Sequence, residues 1–553
     1  MKTLNIFSRI FLLAVLSYFC FRFCNWIIGL TNFEEVYYAQ SAKEMIQLKS
    51  WLTPYLFGQP QPGESILFYW LLKSAFILFG ASSFSARFFP ALFAIIGVIA
   101  VFLLGVWGFK DQRKAFICAI VLMTSLLYLI FSRMVFPDLI FSVFILLSLA
   151  SFYLSFIDRE KKGWAILLFF VFATLAVLTN GIFGLVIPLL VAGVFLLVNK
   201  QFKFIFNRFA VWGVVIFFLI TLPRHLLLNK FYANIPSGDL FYGDYFKLFF
   251  SLRSLSFSTW YHYPLFIVAS ILPWSLFFIC ALILLPEQLR QKNKLFYSFL
   301  ISWLSVVSVV PIFGRFRPLG YLFLLFPVVA LITGGYIGRE LLNKKTSRLF
   351  DFVSWTVVLI ILLIPAILSL VLAGFTENLS VYLPTKLVAY LFIPSSLCLA
   401  IAAFIFLLNR NKKLCFYCFA FILPLFLCLF PFVSAKLEPY FSLQPSCKYL
   451  LSHFQPENTL LVAKPYLMGV KYYTDKEVVG IDLHDCGFSA SNEKLLLTTR
   501  ESLLSFLRKQ GLTYCLLDQR SFDDLQQLIQ GEFACSILEI KARTYIVKIE
   551  KLL

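Results

Sequence analysis

The segment Asn32-Phe-Glu34-Glu35-Val-Tyr-Tyr38-Ala39 follows the first long apolar run of the chain. Two adjacent carboxylates at a membrane boundary could take a proton from an acceptor amine or hydroxyl, or hold a metal ion. They would equally suit the first turn of a helix, where negative charge meets the positive end of the helix dipole. A second segment, Ser132-Arg-Met-Val-Phe-Pro-Asp138, sets an Arg and an acid in a tight turn between two apolar runs. It reads either as a neutralising pair or as part of a site. A third, Phe313-Gly-Arg315-Phe-Arg317-Pro-Leu-Gly-Tyr321, carries two guanidinium groups. Their planar forks match phosphate oxygens, with lipid headgroup contact as the plainer use. Trp260-Tyr-His262-Tyr263 closes a polar loop; His262 is a further candidate for substrate contact, although aromatic belts with a structural His are common at membrane interfaces.

These residues are positioned by membrane-spanning helices. Of the 553 residues 60% are hydrophobic and only 14% charged. The mean hydropathy of +0.86 excludes a soluble globular protein. The net charge of +20 does not point to nucleic acid. Outside the tail, most of the Lys and Arg sit in short loops, Lys110–Lys114, Arg159–Lys162, Lys200–Arg208, Arg290–Lys294, Arg339–Arg348 and Arg410–Lys413. Such loops mark the cytoplasmic side and touch anionic lipid. Cys20, Cys24, Cys118, Cys280 and Cys398 lie inside apolar runs as small hydrophobes. Cys447, Cys486, Cys515 and Cys535 lie in the tail, where an extracytoplasmic location would permit disulfides.

Apolar runs long enough to cross a core of ~30 Å are expected near residues 8–30, 86–108, 114–133, 138–157, 164–180, 182–198, 209–228, 263–285, 296–313, 318–338, 350–374, 385–408 and 414–434. The first is read as a retained helix rather than a cleaved signal. Ser65–Phe79 is apolar enough to count as another span, but that would move Lys110–Lys114 outside; it is expected to lie in the interface. About 13 transmembrane helices then put the N-terminus in the cytoplasm and the tail outside. The expected architecture is a polytopic α-helical membrane domain over residues 1–435, with outer loops at 31–85 and 229–262. A small α/β or α+β extracytoplasmic domain follows over 436–553. Its strands are expected at Thr459–Ala463, Glu477–Ile481, Thr513–Leu517 and Thr544–Ile549, with helices at Ser502–Gln510 and Ser521–Gln530.

All the candidate clusters fall on the face opposite the basic loops. Acids for an acceptor and cations for a phosphate leaving group are the set needed to move a sugar from a polyprenyl phosphate. In motif order and topology the chain resembles the GT-C integral-membrane glycosyltransferases. The resemblance is to the protein O-mannosyltransferase superfamily, which includes the bacterial lipid A aminoarabinose transferases. It is carried by Glu34, Glu35, Tyr38 and Ala39, Tyr69-Trp70 and Arg87. Further along come Asp138, Leu178-Thr-Asn-Gly181 with Gly184 and Pro188, Leu272-Pro-Trp274, and Arg317-Pro-Leu-Gly-Tyr321 before Phe326-Pro327. Glu34 replaces the usual Asp, Glu64 replaces a phosphate-binding Lys, and Asn180 replaces another Lys.

The resemblance implies an inverting transferase with a polyprenyl-phosphate sugar donor and a lipid (lipid A-like) or protein acceptor. It would act at the periplasmic face of a bacterial inner membrane. Glu34, Glu35 and Asp138 would be catalytic, and Arg317, Arg315 and Arg87 would hold the donor phosphate. Tyr38, Tyr69, Tyr321 and His262 would contact substrate. A divalent metal held with the help of Asp138 is left open. The competing readings are a lipid or polysaccharide transporter or flippase and an inactive family member acting as a binding subunit. A transporter would want ionisable residues near the midplane, whereas the charges noted above stand at span ends.

Overall fold

The computed structural model describes residues 5–22, 27–31, 33–158, 160–204, 207–232, 262–289, 293–309, 318–343, 347–374, 385–454, 459–482, 496–529 and 531–552. Helix α1 (Ile6–Arg22) leads into α2 (Glu34–Gln47), and a short hairpin, β1 (Tyr55–Leu56) and β2 (Gln59–Pro60), follows. Next come α3 (Ile66–Phe79), the single turn α4 (Ser83–Ala86), α5 (Phe88–Phe109), α6 (Gln112–Met123) and α7 (Leu126–Phe131). A run of long helices completes the first half: α8 (Pro137–Ile157), α9 (Lys162–Asn180), α10 (Phe183–Val198) and α11 (Arg208–Phe231).

Among the described residues six helices are long and apolar enough to cross a membrane: Ser83–Phe109, Pro137–Ile157, Lys162–Asn180, Arg208–Phe231, Phe323–Leu342 and Lys412–Leu429. Shorter apolar helices, among them Phe183–Val198, Lys294–Val309 and α3, accompany them. At ~1.5 Å per residue the 14 residues of α3 reach ~21 Å, short of a hydrocarbon core. Phe323–Leu342 is almost wholly buried, with α5, α6 and α8 packed around it. Ser142 on α8 donates to the Phe323 carbonyl at 2.6 Å.

The span expected at 114–133 is not continuous. It breaks at Thr124 and Ser125, whose hydroxyls donate back to the carbonyls of Ile120 and Val121 at 2.7 Å. The break faces another at Ile271–Trp274. Leu126 N–H donates to the Leu272 carbonyl at 3.1 Å, and the Trp274 Nε1–H to Thr124 Oγ1 at 3.0 Å. Non-helical backbone at this depth survives because each break satisfies the other inside protein.

Helices α9 and α11 run in the same direction. A Cβ at Gly163 of α9 would overlap the Phe209 ring of α11, and one at Gly213 of α11 would overlap the Phe170 ring of α9. The tail forms a six-stranded mixed sheet in the order β5-β4-β3-β6-β8-β7. Its strands are β3 (Leu460–Ala463), β4 (Val478–Ile481), β5 (Leu496–Leu497), β6 (Leu512–Leu517), β7 (Phe533–Lys541) and β8 (Thr544–Lys551). The helices Arg500–Gln510 and Gln519–Ile529 cover it. This is an α/β domain; the two-residue β5 and the half-exposed β7 are the strands that the apolar pattern did not reveal. Cys447, Cys515 and Cys535 are free thiols, and Cys486 lies outside the described residues.

Candidate active site

Helix α2 starts with the acidic pair in its first turn, and neighbouring positions on a helix point about 100° apart. That separation gives Glu34 and Glu35 different environments. Glu35 is fully buried. Its Oε1 accepts from Arg87 Nε at 3.0 Å and from the Val135 N–H at 2.8 Å. Its Oε2 accepts from Arg87 Nη2 at 2.6 Å, the Thr31 N–H at 2.7 Å and the Thr31 hydroxyl at 2.9 Å. Arg87 completes the knot by donating to the carbonyls of Ile28 and Gly29 at 2.8 and 3.1 Å. Burial, the largest influence, pushes the Glu35 carboxyl up; the Arg87 charge and the hydrogen bonds from Arg87 and Thr31 outweigh it and hold the carboxyl below its ordinary value.

Glu35 was expected as a catalytic acid and Arg87 as a phosphate ligand. The geometry instead buries each against the other, with Arg87 4% exposed and Glu35 not at all. Together they fasten α2 to the stretch 27–31 that precedes it, to the start of α5 and to the loop before α8.

Glu34 is half-buried, and Tyr37 and Tyr38 stand one turn along on its side of the helix. Tyr38 packs edge-on against Phe68 at 5.1 Å, approaches Tyr69 at 5.9 Å and meets Phe136, two residues before Asp138, at 6.4 Å. Tyr69 is buried with Met45, Ile66 and Leu178, so the same cluster reaches the end of α9. There Asn180 Nδ2 donates to Asp138 Oδ1 at 3.4 Å. Glu34, Tyr38, Tyr69, Asp138 and Asn180 are thus brought to one end of the helix bundle, opposite the basic loops. Arg133, from the same turn as Asp138, donates to the Cys20 carbonyl at 3.1 Å and ties that turn to α1.

Two residues that sequence reasoning left out of the site join it. Tyr37 donates to Glu64 Oε1 at 3.2 Å, and Arg224 Nη2 donates to the Glu64 carbonyl at 2.7 Å. Arg224 is an Arg inside an apolar run, a signal legible in the sequence. It corrects the expectation that charges stand only at span ends, since α11 continues seven residues beyond it. Arg315 and Arg317 lie outside the described residues. Of Tyr321 and His262 only the backbone is described, in the helices Pro318–Leu342 and His262–Ser270.

The opposite side of α2 carries Lys43, nine positions from Glu34 and therefore half a turn away in projection. Its Nζ pairs with Asp475 of the tail domain at 2.7 Å. Nearby, the Leu30 N–H donates to Tyr473 Oη at 2.6 Å and the Gly29 N–H to Glu438 Oε1 at 3.0 Å. A cavity of about 710 Å³ opens here between Lys43, Ser82, Phe84, Gln444, Tyr473 and Asp475, on the side away from Glu34. Among the described residues no group of three or more His, Cys, Asp or Glu side chains is placed to hold a metal ion.

The family model of dolichyl-phosphate-mannose-protein mannosyltransferase matches residues 6–237. An uncharacterized protein of Aquifex aeolicus is 27% identical over 70% of this chain and 73% of its own. The undecaprenyl phosphate-alpha-4-amino-4-deoxy-L-arabinose arabinosyl transferase 1 of Pseudomonas fluorescens is 24% identical over 58% of each chain. This chain therefore spans little more than half of that relative's length. The crystal structure of ArnT from Cupriavidus metallidurans bound to undecaprenyl phosphate superposes with a TM-score of 0.76 over 98% of both chains, at 15% identity. The fold is that of the GT-C integral-membrane glycosyltransferases. The likeness to the mannosyltransferase family model covers residues 6–237, and the likeness in fold to ArnT extends over nearly the whole chain.

Proposed function

We propose that this protein is a polyprenyl-phosphate-dependent glycosyltransferase. The acceptor nucleophile attacks the anomeric carbon of the donor sugar from the face opposite the phosphate. The carbon–oxygen bond to phosphate breaks, polyprenyl phosphate leaves with the bonding pair, and the acceptor proton passes to Glu34. This is an inverting displacement. The observation that carries the reading is the gathering of a half-buried carboxylate, a second acid and aromatic walls at one end of a GT-C fold. Asp138, steadied by Asn180, orients the acceptor. Arg317 and Arg315 take the donor phosphate, where cationic donors stabilise the charge that develops on leaving. Tyr38, Tyr69, Tyr321 and His262 line the sugar and acceptor paths. Glu35 and Arg87 serve by holding α2 in place.

The protein is read as working at the periplasmic face of a bacterial inner membrane, with its tail domain on that side. The acceptor is a lipid of the lipid A kind or a protein. Charges gathered at one end of the bundle support transfer over transport. The test is radiolabelled sugar transfer from undecaprenyl-phosphate sugars to a membrane lipid extract by purified wild type and Glu34→Gln. Transfer by the wild type alone supports the reading, and the labelled product names the acceptor. No transfer by folded wild type from any such donor would overturn it.

A further inference from the structure

Arg224 has a guanidinium that the fold orients through carbonyl oxygens while leaving its buried Nε–H without a partner. Helix α11 turns Val211, Trp212, Val215, Leu219, Leu222 and Leu226 outward, and buries Gly213, Phe217, Thr221, His225 and Leu228. Positions 217, 221, 224 and 228 follow helical spacing, so Arg224 lies on the inward face. A guanidinium within an apolar span is costly unless something polar receives it. Here Nη2 donates to two carbonyls, Glu64 at 2.7 Å and Pro62 at 3.5 Å. The Nε–H is buried with no partner. Carbonyl oxygens orient a cation without cancelling its charge, and the acid that acts on Arg224 is the Glu64 carboxylate, which also accepts from Tyr37.

Its height in the bundle matches the site. From the Gly213–Phe170 contact, Arg224 is 11 residues along α11 and Asn180 is 10 residues along α9, rises of ~16 Å and ~15 Å. Asn180 is the residue that touches Asp138. The lipid-facing side of the same helix offers an apolar track past Leu219, Leu222 and Leu226.

We infer that Arg224 is a ligand for the phosphate of the lipid-linked donor, its unpartnered guanidinium edge completing the anion site while the polyprenyl chain follows the outer face of α11. This rests on the glycosyl-transfer reading above. A phosphate carried by a lipid fits better than a free one, because the group lies within a span.

The experiment titrates undecaprenyl phosphate into wild type, Arg224→Met and Arg224→Lys in phosphatidylcholine nanodiscs, with donor KM and kcat measured alongside. Met keeps the apolar stem, so the variant is expected to fold, as thermal unfolding checks. Loss of a charge-assisted hydrogen bond predicts affinity about ten- to a hundredfold weaker in Arg224→Met, a raised donor KM, and partial rescue by Lys. Unchanged affinity and donor KM in Arg224→Met would overturn the assignment. So would a lowered unfolding temperature with intact donor affinity, which marks a structural residue. Equal competition by inorganic phosphate or phosphatidylglycerol would overturn the lipid-linked donor as the ligand. Failure of wild type to transfer sugar would sink the glycosyl-transfer reading, while the binding titration would still decide Arg224.

Discussion

The two sides of α2 make opposite use of the same chemistry. On one, Glu35 has every oxygen engaged, Arg87 beside it and the tail domain packed close through Tyr473 and Asp475. On the other, Glu34 stays half-buried beside Tyr37, Tyr38 and the turn that Arg224 supports. An identical side chain one position away becomes either a fastening or a candidate base. What separates them is a rotation of about 100° about the helix axis. A buried carboxylate with a guanidinium and three further donors has no remaining lone pair to offer a substrate. The side that docks to the rest of the protein thus holds the Glu34 side at a fixed angle.

The sharpest break of this comparison is at Glu34. Glu34→Gln should lower turnover by about 10²- to 10⁴-fold, the range for losing a general base, with unfolding temperature unchanged. Near-normal turnover in that variant would remove Glu34 from the chemistry. The mirror experiment is Glu35→Ala, which should destabilise by about 3–5 kcal/mol by stranding the buried Arg87 charge. It should be read as a lower unfolding midpoint and a poor folded yield. An unaltered midpoint would show that the pair fastens nothing.

A pH series sharpens the same point. The Glu35 carboxyl is held below its ordinary value in the folded protein, so the unfolded state binds its proton more readily. The stability it supplies is therefore fully present above the unfolded value of about 4.3 and fades as pH falls through the lower folded value. Glu35→Gln should flatten the acid limb of a stability-versus-pH curve, and an acid limb identical to wild type would contradict the assignment. Arg317→Ala should raise donor KM about tenfold, by loss of one charge-assisted contact, while leaving acceptor KM alone. Equal changes in both would place Arg317 elsewhere. The smallest effect is expected at Lys43→Met. Asp475 in that pair is more than half exposed, so the loss should be below about 1 kcal/mol. A larger drop would make the tail domain a principal support of α2.

Much of the architecture was legible beforehand, because it follows from local rules. Apolar length marks the spans, and charge bias marks their ends. Four strands and two helices of the tail fall within a few residues of their expected places. The continuous span at 114–133 was misread because Thr124 and Ser125 are as compatible with a helix as with a break; only the facing break at Ile271–Trp274 makes the interruption affordable. The site was half legible. Glu34, Asp138 and the aromatic residues around them stood out by type and position. Arg224 is visible in the sequence as an Arg inside an apolar run, but its contact with the Glu64 turn is not, because spacing says nothing about what the inward face of α11 meets.

Residue types and hydropathy alone determined a polytopic membrane protein with acids and cations gathered at one end, since membrane insertion acts on composition along the chain. Tertiary structure alone decided which of two adjacent carboxylates is fully buried against an arginine and which stays half-buried. It also decided that Asp138 meets Asn180 and that the Arg224 Nε–H is buried without a partner. Those outcomes depend on contacts between residues 40 to 160 positions apart, and such pairings are set by packing rather than by any local preference.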